Sequence, residues 1–140
     1  TRPSRLDYGS LMTKLVVGRS PTLGIRGVIA AEAIRKDEIF EISPVVVLPS
    51  RECAAIDQTT ITNYCYVWED DLALAFGLGS LFNHSYDANA EFDRDFENLT
   101  IYFVAVKDIQ PGEEVLINYN GAADDATPVD WLESQYSAPG

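Results

Sequence analysis

Cysteine, histidine and positive charge are all scarce in this 140-residue chain, and each scarcity removes a class of function. Two cysteines, Cys53 and Cys65, are too few for a disulfide framework and lack the spacing of a zinc site; they read as small buried or half-buried side chains. His84 is the only histidine. A histidine-based metal site or a Ser-His-Asp triad therefore has little material to work with, and no metal is expected. Lys and Arg number 10 against 22 Asp and Glu, a net charge of −12. Such a surface repels phosphate backbones and anionic membranes, so neither direct nucleic-acid binding nor membrane binding is expected. It attracts a basic partner such as a Lys/Arg-rich peptide, although the same charge would serve solubility or a salt-rich habitat equally well. Long apolar runs are also missing: none approaches the ~20 residues that span a bilayer. Nor does Thr1–Arg5 have an apolar segment behind it to act as a secretory h-region. The expectation is an intracellular protein.

What is present suits one globular domain, with 46% hydrophobic and 23% charged residues. Strand signals dominate. Lys14 to Gly18 is short and β-branched, and Gly27 to Ala30 follows a turn region at Pro21 to Gly24. Phe40 to Ser43 alternates with period two, and Val45 to Leu48 runs on as a buried strand bounded by Pro44 and Pro49. Leu99 to Val106 is the strongest strand, and Val115 to Ile117 the last. A short helix is expected from Ser50, whose hydroxyl could cap it. Leu72 to Phe82 reads as a buried, nearly all-apolar helix or turn weakened by two glycines. Asp93 to Asn98 makes a hairpin loop. After Gly121 the chain is Asp/Ala/Pro-rich, with Trp131 and Leu132 as its anchors. The fold class expected is mainly β, with many short strands and little helix.

Two segments look like a site. Phe82-Asn83-His84-Ser85-Tyr86-Asp87-Ala88-Asn89 packs two asparagines, a histidine and a serine into one stretch after an apolar run. Polar side chains placed so either pin a buried loop or hold a ligand. Pro111-Gly112-Glu113-Glu114-Val115-Leu116-Ile117-Asn118-Tyr119 is a turn feeding a strand that ends on a tyrosine. With Arg26-Gly27-Val28-Ile29-Ala30 and Val104 to Ile109 they make four ordered matches. In this order the residues resemble a SET domain, the fold of protein-lysine methyltransferases that use S-adenosylmethionine. The resemblance runs from about Leu15 to Trp131 and is nearest to the minimal single-domain SET proteins of viruses and bacteria. It implies one domain over residues 1–140, a β-clip-like fold of several short sheets, and a C-terminal pseudo-knot. Viral members of that kind imply a homodimer. The sequence departs from the family pattern at Ile25, where the first glycine of Gly-x-Gly is expected, although Gly24 sits one place earlier. It departs again at Tyr86 for a common Cys, Ala88 for a common Pro, and Asn118 for the usual Asp.

The resemblance also implies a chemistry. Methyl transfer to lysine is an in-line displacement that needs a neutral amine, whereas free lysine, with a pKa of about 10.4, is protonated at pH 7. A narrow apolar channel and the facing sulfonium both disfavour the ammonium form. Tyr119 is implied as the catalytic residue, orienting the reacting groups rather than acting as a general base. Read without the resemblance it is a strand-end tyrosine packed in the core. Tyr64 is implied as a second catalytic residue and as another wall of the lysine channel, while Tyr66 stays unassigned, since aromatic pairs in β-rich domains commonly belong to the core. Asn83 would accept from the cofactor's ammonium group and the His84 backbone would meet the adenine edge. Arg26 and Gly27 would present backbone groups to the cofactor's amino-acid end. Trp131 would stack on adenine, or else anchor the tail. Ile117 lines the substrate channel in this reading, and an aliphatic side chain there implies that more than one methyl can be added. A basic peptide or protein is the expected substrate, a histone tail among them, placing the chain in the cytoplasm or in a eukaryotic or viral-host nucleus. Two other readings stand beside this one: a degenerate SET domain that binds peptides without turnover, and an unrelated acidic β-rich interaction domain.

Overall fold

A computed structural model describes residues 13–129. Its first elements form an antiparallel hairpin, β1 (Leu15–Arg19) and β2 (Arg26–Ala30), with Leu15 opposite Ala30 and Arg19 opposite Arg26. The next strand, β3 (Ile39–Leu48), is continuous through Pro44 rather than ending there. Residues before Pro44 pair with β8 (Thr100–Ala105), and those after it pair with β5 (Asp71–Ala75). A proline that cannot donate to a ladder thus sits where the strand changes partner.

The remaining strands are β4 (Cys65–Trp68), β6 (Asn83–His84), β7 (Ala90–Asp95) and β9 (Leu116–Ile117). They complete a seven-stranded sheet in the order β4-β5-β3-β8-β7-β9-β6. The last strand, β9, lies between β7 and β6 and runs parallel to both, an insertion that suits a C-terminal segment threaded through an earlier loop. Isolated bridges and backbone bonds tie β2 to the turn before β9: Ala30 N–H donates to Glu113 O at 2.9 Å and Val115 N–H to Val28 O at 2.8 Å. These bonds bring Glu114 next to Gly27.

Side-chain alternation builds the core. On β8, Ile101, Phe103 and Ala105 are fully buried while Thr100, Tyr102 and Val104 are partly exposed, the period-two pattern of a strand with one inner face. Phe82 and Phe103 meet at 4.7 Å between ring centroids, with Phe40 edge-on to Phe82 at 5.9 Å.

Three local expectations are corrected. The helix α1 (Ser50–Ile56) forms, but the Ser50 hydroxyl does not cap it; instead the Ser50 N–H donates to the Asp71 carboxylate at 2.8 Å. The apolar stretch from Leu72 is a strand to Ala75 followed by a turn, not a helix. Its backbone is satisfied on both sides by β3 and β4, and Gly79 packs so tightly that a Cβ there would stand 2.8 Å from the Ser43 Cβ. Finally, Asp93–Asp95 belong to β7, and only residues 96–99 turn.

Candidate active site

Asn83 lies at the end of a strand too short to bury much, yet it is buried because three elements converge on it. Its Nδ2 donates to the Arg26 carbonyl at 3.0 Å and to a Glu114 carboxylate oxygen at 2.8 Å. Both neighbours are acceptors, which fixes the orientation of the amide. With both amide hydrogens engaged, Oδ1 is the atom left to accept from a cation. Glu114 is itself buried, and the Ser20 hydroxyl donates to its other oxygen. Gly27 closes the cluster: a Cβ at that position would meet the Glu114 carboxylate and stand 2.8 Å from Asn83 Nδ2. A side chain there would have to displace the Glu114 carboxylate and the Asn83 amide from each other.

Tyr119 follows β9 and is fixed at both ends. Its backbone N–H donates to His84 Nδ1 at 3.0 Å, and its hydroxyl donates to the Phe82 carbonyl at 2.8 Å. The first bond requires a bare Nδ1, so His84 is neutral with its proton on Nε2. That ring positions Tyr119 and packs edge-on to Tyr86 at 4.4 Å. The second bond engages the only phenol proton, so in any further hydrogen bond the oxygen acts as an acceptor.

The Tyr119 ring forms part of the wall of a cavity of about 520 Å³, shared with Tyr64, Tyr66, Phe82, Asn120 and Val129. Its size is that of a small-molecule or side-chain site. The Arg26 guanidinium donates to the Tyr64 hydroxyl at 3.4 Å, linking this wall to the Asn83 cluster. Tyr66 donates to the Gly79 carbonyl at 2.5 Å. Burial, with Tyr119 nearby, pushes its hydroxyl well above the ordinary tyrosine range, so Tyr66 stays protonated and serves as wall.

The structure therefore brings Arg26, Gly27, Asn83, His84, Tyr64 and Tyr119 into one connected cluster. Ile117 is not on the cavity wall; it is fully buried in the core, opposite His84 in the β6–β9 ladder. Trp131 lies outside the described residues. Ile25 points outward, 39% exposed. Tyr86 and Asn118 both hold the segment after Tyr119. The Tyr86 hydroxyl accepts from Val129 N–H at 2.9 Å, and Asn118 Nδ2 donates to the Asp125 carbonyl at 2.5 Å. Asn89 clamps β9 by donating to Glu114 O and accepting from Leu116 N–H, each at 2.8 Å. Sequence reasoning assigned no role to Glu114, the Phe82 carbonyl, Asn120 or Arg94, which also lines the cavity. Only Glu114 left a signal, as the acid directly before the buried Val115.

A fold of short curled strands with an Asn-His-Ser turn abutting a strand-end tyrosine defines a class, and comparison with known proteins gives it a name. Residues 25–120 match the SET domain family; the chain belongs to it. A Schizosaccharomyces pombe histone-lysine N-methyltransferase specific for H3 lysine-37 is 40% identical over 96 residues, covering 67% of this chain and 65% of the relative. The chain thus spans under two thirds of that relative's length. The crystal structure of a Plasmodium falciparum histone methyltransferase candidate superposes with a TM-score of 0.61 at 31% identity, over 78% of this chain and 95% of that one. A structure of the Chaetomium thermophilum Polycomb Repressive Complex 2 bound to an inhibitor gives a TM-score of 0.65 at 22% identity, over 78% of this chain and 15% of that one. At that identity the likeness concerns the fold alone.

Proposed function

We propose that this chain is an S-adenosylmethionine-dependent protein-lysine N-methyltransferase acting on a basic protein segment, a histone tail among the substrates it would take. One observation carries the reading: the Tyr119 hydroxyl is held by the Phe82 carbonyl in the wall of a cavity that Tyr64 shares, directly beside the Asn83–His84 turn. S-adenosylmethionine supplies, when bound, an electrophilic sulfonium methyl. The residues present fit that group, since Asn83 Oδ1 is left as an acceptor for its ammonium and the Arg26–Gly27 backbone lies alongside with no side chain at Gly27. Trp131 and the His84 backbone complete the cofactor set in this reading.

The protein's own contribution is positioning and desolvation. Tyr64 and Tyr119 form aromatic walls that disfavour the charged ammonium of an entering lysine, making its nitrogen nucleophilic at neutral pH. The Tyr119 oxygen, its proton engaged elsewhere, accepts from that amine and aligns it.

The test pairs binding with turnover. Adding S-adenosylmethionine raises the melting temperature of both the wild type and Tyr119→Phe, while the substitution lowers methyl transfer to a histone-tail peptide about a hundredfold. A wild type with no cofactor shift and no turnover would instead be a peptide-binding SET domain.

A further inference from the structure

The cavity that Tyr119 lines is also lined by a cation, Arg94, that makes no ion pair among the described residues. Arg94 projects from β7, with its Cζ 5.4 Å from the Phe92 ring centroid and its Nε donating to the Val67 carbonyl at 2.5 Å. The guanidinium is therefore clamped, and its two Nη groups remain as a planar pair of donors. The protein carries an excess of twelve negative charges, yet the ion pairs among the described residues are Lys14–Glu38, Arg51–Glu52 and Lys107–Asp87. None involves Arg94. The adjacent Asp93 is turned to other donors, accepting from the Arg94 backbone N–H at 2.8 Å and from the Tyr102 hydroxyl at 3.2 Å. Burial also lowers the guanidinium's pKa, with Asp93 opposing that shift. A half-buried charge left so is costly unless something else completes it.

We propose that Arg94 is a subsite for a carboxylate carried by the substrate close to its target lysine, and that it selects which lysine of a basic segment reaches Tyr119. The inference rests on the methyl-transfer reading above. Two scales of electrostatics divide the task. The acidic surface draws in any Lys/Arg-rich segment, without regard to register. Inside the cavity the sign reverses: a flanking Lys or Arg is repelled by Arg94, whereas a flanking carboxylate makes a bidentate, charge-assisted pair with it. The carboxylate could be an Asp or Glu side chain or the end of the substrate chain.

The experiment uses the full chain with S-adenosylmethionine and a basic host peptide containing one lysine. Glu or Gln is placed at each flanking position in turn, and a further pair ends just after the lysine with a free or an amidated terminus. The readout is the ratio of kcat/KM for the charged and neutral member of each pair, so that any general loss in a variant cancels. The wild type should favour the carboxylate by about tenfold or more at one position. Which pair responds tells whether a side chain or a chain end is recognised. Arg94→Gln should bring that ratio to about one, and Arg94→Glu should turn it toward a Lys at the same position. If Arg94→Gln is too damaged to assay, Arg94→Lys, which keeps the charge but loses the fork, should show a reduced ratio. A wild-type ratio near one in every pair overturns the subsite and leaves methyl transfer standing, as does a ratio unchanged in Arg94→Gln or in Arg94→Lys. A wild type that methylates no peptide overturns the methyl-transfer reading, and the subsite with it.

Discussion

At the scale of single residues, two of the departures from the family pattern, Asn118 and Tyr86, have structural reasons. Asn118 stands where an aspartate is usual, and it is fully buried. Its Nδ2 faces the carbonyls of Asp125 and Ala123, while its Oδ1 accepts from Asn120 N–H at 3.0 Å. A carboxylate could make the last of these bonds but would point an oxygen at two carbonyl oxygens. Asn118→Asp is therefore expected to destabilise the fold by about 2 kcal/mol or more near pH 8. The introduced acid regains a donor only when protonated, so its pKa in the folded state would be raised. The wild-type stability would accordingly be recovered at low pH and lost as pH rises. Urea unfolding at pH 5 and pH 8 measures this directly, and equal losses at both would refute it. Tyr86 acts in the same direction: its hydroxyl binds the backbone at Val129, so two unusual residues fix the segment that supplies Asn120 and Val129 to the cavity.

Among elements, the contact between β3 and the turn after β5 gives a second prediction. Glu41 on β3 accepts from Leu78 N–H at 2.9 Å and from the Ser43 hydroxyl at 3.2 Å, through one oxygen. Burial outweighs these bonds and raises its pKa above the ordinary 4.5. The folded state thus favours the neutral acid. The associated stability is fully present below the unfolded-state value and is lost as pH rises through the folded-state one. Glu41→Gln keeps an acceptor for Leu78 without the charge, so it should raise the melting temperature at pH 7–8 and converge with the wild type near pH 4. A constant gap across that range would mean the charge is irrelevant. The same region shows where the sequence was legible. β8 was plain because its alternation is unbroken, and Pro44 was read as a boundary because it does end one pairing and begin another. β5 was mistaken because Leu72 to Ala75 is at least half-buried throughout, and an apolar run with no exposed side has no period to distinguish strand from helix. β7 was missed because Glu91, Asp93, Arg94 and Asp95 look like a loop, although Phe92 is buried between them. For the site, Asn83, His84 and Tyr119 were legible because their motifs are contiguous. Glu114 reaches Asn83 across 31 positions, and the Phe82 carbonyl is backbone, which leaves no mark in a sequence.

For the molecule as a whole, the governing quantity is the net charge of −12. Most of that charge is not consumed in ion pairs among the described residues, so it acts as a field rather than as contacts. A field of this kind speeds encounter with a basic segment and is screened over a Debye length of about 10 Å at 0.1 M salt. Contacts within the cavity act over a few ångströms, shorter than that length, and are screened less. Raising the salt from about 0.05 to about 0.5 M should therefore lower kcat/KM for a Lys/Arg-rich peptide by roughly tenfold, through KM, with kcat nearly unchanged. A peptide of equal length whose only basic residue is the target lysine should show almost no salt dependence. If both peptides lose activity in parallel, recruitment by the acidic surface is not what brings substrate to the cavity, and local contacts such as the one assigned to Arg94 must carry recognition alone.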